Sequence, residues 1–220
     1  MKLTDTQLQD LATQLRCPQG NDALKTGEMM NLTNGNIIDK TIRSLDIQPN
    51  DTILEIGPGN GAHVKKIVVD STATYTGIDI SESMLAEAQK LNSKLPNATF
   101  QLTNADVIPF GESKFNKVFT VNTIYFWNDA QAYANQIAQV LKPGGLVSIG
   151  FIPKSTMQHI PFAKFGFNLY TIHEVATLFT NAGLKIVSKD LQSEFVTSNS
   201  GAQIEREFVI LTAEKVQAVM

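Results

Sequence analysis

At 220 residues the chain fits one domain with at most a small appendage. Its 43 % hydrophobic content suffices for a buried core, and with 18 basic against 21 acidic residues and no basic run interleaved with aromatics, nucleic-acid binding has no electrostatic support. A single cysteine, Cys17, excludes an internal disulfide, and the three histidines (His63, His159 and His173) stand too far apart for a metal-ligand motif, so no metal is expected.

The opening Met-Lys-Leu-Thr-Asp-Thr-Gln-Leu-Gln-Asp has no apolar stretch of signal-peptide length. No run approaches the roughly 20 apolar residues of a membrane span. The expectation is a soluble cytoplasmic protein, without membrane or nucleic-acid partners, as a monomer or homodimer. Amphipathic helices are predicted over Leu8–Leu15 and Ile37–Leu45, with turns at Pro18–Asp22 and Asn34-Gly35. Strand-like and helix-like runs then alternate, which indicates a mainly parallel α/β sheet. Strands are expected at Thr52–Ile56, Thr74–Ile80, Thr99–Thr103, Lys117–Val121, Gly145–Phe151, Leu184–Lys189 and Glu207–Thr212. Helices are expected from Ala62 to Val69, Glu82 to Leu91, Ala130 to Leu141 and Thr171 to Ala182. Ser81 is placed as an N-cap and Gly183 as a helix-ending glycine. The stretch Asp190–Ile204 has no helical pattern, so an antiparallel hairpin joins the last two strands.

The first strand runs into Leu54-Glu55-Ile56-Gly57-Pro58-Gly59-Asn60-Gly61. A glycine cluster after a strand lets backbone approach a ligand and delivers a helix N-terminus. Glu55 is unusual, because a carboxylate inside a strand is costly unless it meets a cation or strong donors. Gly57-x-Gly59-x-x-Ala62 also satisfies a dinucleotide-binding pattern. Asp79, at the end of the second strand, suits the ribose hydroxyls of either cofactor type. Residues alone therefore leave an NAD-dependent dehydrogenase open.

The glycine stretch resembles the first motif of the class I S-adenosylmethionine-dependent methyltransferases. That family's fold is Rossmann-like: a seven-stranded, mostly parallel sheet with an antiparallel last strand and helices on both faces. The resemblance implies that Gly57, Pro58, Gly59 and Gly61 bend around the cofactor's methionine part, supported by Glu55. It implies Asp79 on the ribose, and Ile80 and Met84 against the adenine. Asn104-Ala105-Asp106-Val107 would take the adenine edge, with Asp106 accepting its amine, and Asn122 would lie beside the methyl group. Leu141-Lys142-Pro143-Gly144-Gly145-Leu146 resembles the family's turn before strand five, a structural feature.

The implied activity is methyl transfer from S-adenosylmethionine to a small organic acceptor. A non-catalytic S-adenosylmethionine-binding protein is the alternative. Asn122-Thr123-Ile124-Tyr125 lacks the prolines typical of enzymes acting on nucleobase or amide nitrogens, and one cysteine is too few for arsenic methylation. Tyr125, Phe126 and Trp127 are read as an aromatic wall for the acceptor. His159 and Tyr170 are candidate general bases or substrate contacts, although no catalytic residue is assigned. Residues 1–45 are read as a helical cap before a domain at 46–220, with the first 35 residues acting as a mobile lid.

Overall fold

A computed structural model describes residues 3–68, 72–197 and 203–217. Strands β1 (Thr52–Ile56), β2 (Thr74–Asp79), β3 (Ala98–Leu102), β4 (Phe115–Val121), β5 (Leu141–Phe151), β6 (Leu184–Thr197) and β7 (Gln203–Lys215) form one sheet. Its order is β3-β2-β1-β4-β5-β7-β6. β7 runs antiparallel to both its neighbours, while β1 to β5 pair in parallel, as the resemblance implied. The helices are α1 (Asp5–Arg16), α2 (Ala23–Arg43), α3 (Val64–Val68), α4 (Glu82–Leu91), α5 (Ala130–Val140), α6 (Lys154–Met157) and α7 (Ile172–Asn181). Val69, included in the helix expected after the glycine loop, lies outside the described residues. No helix among the described residues is long and apolar enough to cross a membrane.

Side chains alternate across a strand, so β1 feeds two core layers. Ile53 packs on one face with Val64 and Phe119, and Leu54 packs on the other with Val118 and the buried side of α5. α2 lies on the first face, where Ser44 and Ser148 share a hydrogen bond of 2.7 Å and Lys66 of α3 pairs with Asp39 at 3.0 Å. α5 and α7 cover the second. The local signals at the helix ends are realised. Ser81 caps α4, accepting from Met84 N at 3.2 Å, and Thr171 and Glu174 form a capping box on α7. Gly183 ends that helix at φ +82°.

Two expectations are corrected. Asn34-Gly35 is no turn, because α2 is a single helix of 21 residues that passes straight through it. Tertiary packing outweighs the cost of about 1 kcal/mol for a mid-helix glycine. β6 and β7 are also far longer than expected, and residues 190–197 and 203–210 form the far half of the hairpin.

α2 sits so close to β5 that only glycine fits at position 150. A Cβ there would meet Ile37 Cγ1 at 2.9 Å and press on the Thr41 hydroxyl. Gly150→Ala should therefore overpack the face and cost about 1–3 kcal/mol. At this chain length that lowers the melting temperature by roughly 2–4 °C per kcal/mol. An unchanged melting temperature would show that α2 is not seated on the sheet.

Candidate functional site

The carboxyl ends of the parallel strands open into a cavity of about 1190 Å³. Its floor begins at the turn after β1, where Gly57, Gly59 and Gly61 have φ of +75°, +56° and +63°. Gly57 shows why the residue type is required: its backbone is left-handed, and a Cβ would lie 2.5 Å from Thr123 Cγ2. Its N–H donates to Ile78 O at 2.8 Å, which ties the turn to β2.

Glu55 is buried in β1, and its carboxylate oxygen Oε2 takes a hydrogen bond from Tyr75 and lies 2.8 Å from His63 Nε2. Its partners are thus side chains, rather than the loop's own amides. Gly77 makes room for this contact, because a Cβ there would stand 3.0 Å from the Tyr75 hydroxyl and 3.0 Å from Pro58. Burial, the largest influence on His63, opposes its imidazolium, but the Glu55 charge and hydrogen bond, joined by the Asp39 charge, outweigh it and raise its pKa. Burial, then the same carboxylate, pushes the Tyr75 hydroxyl well above the phenol range, so it remains a donor. Neither His63 nor Tyr75 was among the predicted site residues.

Asp79 links the floor to the next loop. Oδ2 accepts from Gly59 N at 3.1 Å and Oδ1 from Ser81 N at 3.0 Å. Desolvation raises its pKa to about 6 against the pull of those N–H donors. Ile80, Met84, Asn104 and Ala105 join Asp79 on the wall, as does Asn122, whose φ is +57°. Glu55, Gly57, Pro58 and Gly59 complete it from the β1 side.

Gly61 faces elsewhere, against Ala88, Asn92 and Phe100. Asp106 and Val107 are exposed outside the cavity lining. Asp106 N donates to Asn104 Oδ1 at 3.1 Å, an Asx-type turn, and its carboxylate accepts from Asn128 Nδ2 at 2.9 Å.

Of the acceptor candidates, Tyr125, Trp127 and His159 line the cavity and Tyr170 does not. Tyr125 is committed to the fold: its hydroxyl accepts from Ile152 N at 2.6 Å and lies within donating distance of Ile152 O, 3.1 Å, and Asn122 Oδ1, 3.2 Å. Burial raises its pKa, so it is no base at neutral pH. Trp127 stacks on Tyr133 with ring centroids 4.7 Å apart, and its buried Nε1 has no hydrogen-bond partner among the described residues.

The roof comes from the N-terminal segment. Leu8, Leu11 and Leu15 of α1 and Met29 and Met30 of α2 line it, whereas Leu24 and Leu32 point to solvent at 50 % and 87 % exposure. Asn31 Nδ2 donates to Asn60 Oδ1 of the glycine loop at 2.9 Å. Ser81 Oγ donates to Pro18 O, and Cys17 Sγ lies 3.7 Å from Ile80 O. The far wall includes Arg206 of β7, which bonds Thr33 O of α2 and pairs with Glu194 at 2.7 Å.

The Glu55 clamp has a titration signature. A histidine pKa raised by folding adds stability that is complete below the unfolded value and fades as pH rises through the folded one. His63 should titrate above the ordinary histidine value by NMR. In Glu55→Gln the largest opposing influence, burial, is left against only the weaker and mutually opposed charges of Asp39 and Lys66, so the pKa should fall. An unmoved His63 would remove Glu55 as its partner.

Residues 53–145 match the family model of a methyltransferase domain. YdaC of Bacillus subtilis (strain 168), an uncharacterized methyltransferase, is 32 % identical over 58 % of this chain and 71 % of its own length. A demethylmenaquinone methyltransferase of Tropheryma whipplei (strain Twist) is 34 % identical over 47 % of this chain, and the match spans only 42 % of that relative. The fold also superposes, with a TM-score of 0.78 at 15 % identity, on a chain of the complex between the Haloferax volcanii Trm112 methyltransferase activator and a methyltransferase, covering 90 % of this chain and 96 % of that one. These matches decide between the two readings of the glycine turn, and the chain belongs to the class I S-adenosylmethionine-dependent methyltransferase family.

Proposed function

We propose that the protein transfers a methyl group from S-adenosylmethionine to a small organic acceptor. The carrying observation is the convergence of the glycine turn, Asp79 and the Ile80–Met84 and Asn104–Ala105 positions on one cavity. The donor set fits the cofactor. A carboxylate offers about four acceptor sites, and the backbone N–H groups of Gly59, Ser81 and Ile80 draw on Asp79, which leaves room for a ribose hydroxyl. Gly59 is left-handed, with nothing within 4 Å of where a Cβ would stand, so the turn has open space before it.

In this reading Ile80 and Met84 flank the adenine, Asn104 and Ala105 take its edge, and the glycine turn holds the methionine part. When bound, the cofactor supplies a methyl already activated on a sulfonium. The chain's contribution is then alignment and exclusion of water, which needs no catalytic dyad. α1 and the first half of α2 act as a roof over the site. Because α2 is continuous, the part free to move is residues 3–22 rather than the first 35.

Asp79 gives binding a pH signature. Its raised pKa means that ionisation costs stability as pH rises from about 4 to about 6, and ribose donors would offset that cost. By calorimetry, the Kd for S-adenosylhomocysteine should be flat above pH 7 and rise about tenfold per unit below 6. Asp79→Asn should abolish the slope. Asp79→Ala should weaken binding at least about tenfold, given a charge-assisted bond of about 1.5–3 kcal/mol. A folded Asp79→Ala variant with unchanged affinity would return Asp79 to a purely structural role.

Hydrogen exchange tests the roof. Protection in α1 should rise when S-adenosylhomocysteine binds, while the second half of α2 stays unchanged. Equal protection in α1 with and without ligand would make the roof a fixed wall.

A further inference from the structure

We infer that the acceptor is an uncharged, elongated apolar molecule, held in a chamber beside the cofactor; this rests on the methyltransferase reading. The cavity, at about 1190 Å³, exceeds the roughly 300–1,000 Å³ typical of a pocket for one drug-sized ligand. Its lining sorts by the order of the sheet. The proposed cofactor residues stand at the ends of β1, β2, β3 and β4. The chamber is built from the segment between β5 and α7, together with the β6–β7 hairpin and the roof.

Its walls are apolar: Leu8 and Leu11 of α1, Met30 of α2, and Ile160, Phe162 and Phe167 after α6. Phe126 and Phe162 both pack on Phe167, with ring centroids 4.7 and 5.5 Å away. Met29, Met30 and Met157 also line it, and methionine is unbranched and adapts to irregular guests. Such walls suit a variable hydrocarbon body better than one rigid shape.

Charge argues against an anionic acceptor. A carboxylate or phosphate buried here would need a cation. Arg206 is already taken by Glu194 and the Thr33 carbonyl, and only 12 % of its side chain is exposed. His159 is exposed to solvent, with Nε2 3.4 Å from Gln158 Nε2. Arg16 stands at the other end, where its charge acts on Cys17, itself packed against Ile80. Glu205, beside Arg206 in the lining, is exposed and would repel an anion. Ile204, 49 % exposed, extends the lining as an apolar rim.

The test uses 4-alkylphenols from methyl to octyl and the matching 4-alkylbenzoates, titrated by calorimetry with S-adenosylhomocysteine saturating. Burying a methylene is worth about 0.8 kcal/mol, or roughly fourfold in affinity. The phenol Kd should fall about two- to fourfold per methylene until the chamber fills, and benzoates of equal length should bind at least about tenfold more weakly. Phe162→Ser and, separately, Met30→Gln should flatten the chain-length dependence while S-adenosylhomocysteine affinity stays unchanged. Melting temperatures with that ligand establish that both variants fold. No chain-length dependence, or tighter binding of benzoates, would overturn the inference. Failure of S-adenosylhomocysteine itself to bind would instead sink the cofactor reading.

Discussion

Glu55 places a carboxylate where the sheet offers no water, and the surrounding architecture answers that constraint. Its only tolerable environment is one with donors on several sides, and His63 and Tyr75 supply them from the far side of the glycine turn and from β2. The clamp therefore joins three separate pieces of chain: the strand before the turn, the residue after it, and the neighbouring strand. Gly77 is needed because any larger residue would occupy the space of the Tyr75 hydroxyl and Pro58. Breaking such a pair by removing one partner costs about 3–5 kcal/mol, far more than the pair adds over an apolar replacement. Its value is positional: it holds the return of the glycine turn in place.

From that anchor a short relay runs to the roof. Gly59 N–H meets Asp79, Asp79 accepts from Ser81 N–H, and the Ser81 hydroxyl reaches Pro18 O. Asn31 makes a second bridge, to Asn60 in the turn itself. The segment above the cavity is thus bonded to the same loops that carry the proposed cofactor contacts. Hydrogen bonds between a roof and its floor are a means by which occupancy of one can bias the position of the other.

Much of this was legible in the amino-acid sequence. β1 and α4 begin and end where their apolar periodicity and the Ser81 cap place them. What was hidden depends on distant chain. Asn34-Gly35 carries an ordinary turn signal, but Ile37 and Thr41 lock the same helix against Gly150, 113 positions from Ile37 (150 − 37). Polar residues such as Asp190, Gln192 and Glu194 made the outer hairpin look like loop. They are tolerated because β6 is an edge strand, and Glu194 is held by Arg206 across the hairpin. His63 and Tyr75 were unreadable as partners of Glu55 until the β1–β2 register set Glu55 opposite Gly77. Asp106 differs from the other strand-end residues: it lies outside the cavity lining, with its N–H on Asn104 and its carboxylate accepting from Asn128.

The division between legible and hidden parts mirrors the division of labour in the site. A cofactor shared across a family imposes the same turn, acid and strand ends each time, so its contacts recur as short motifs near strand termini. An acceptor imposes nothing on the sheet. The walls of its proposed chamber come from α1, α2, the turns after β5 and the outer hairpin, none of which the parallel sheet requires. Those elements meet only in three dimensions, through Lys164 to Asp5 at 2.9 Å and Arg206 to the carbonyl of Thr33. Function on a widely used fold lies in such added elements. The same reasoning makes the chamber's character a matter of accumulated apolar area rather than of any single side chain. Leucines, methionines and phenylalanines from four separate segments each contribute a little surface, and no one position carries a signature that a linear reading could isolate.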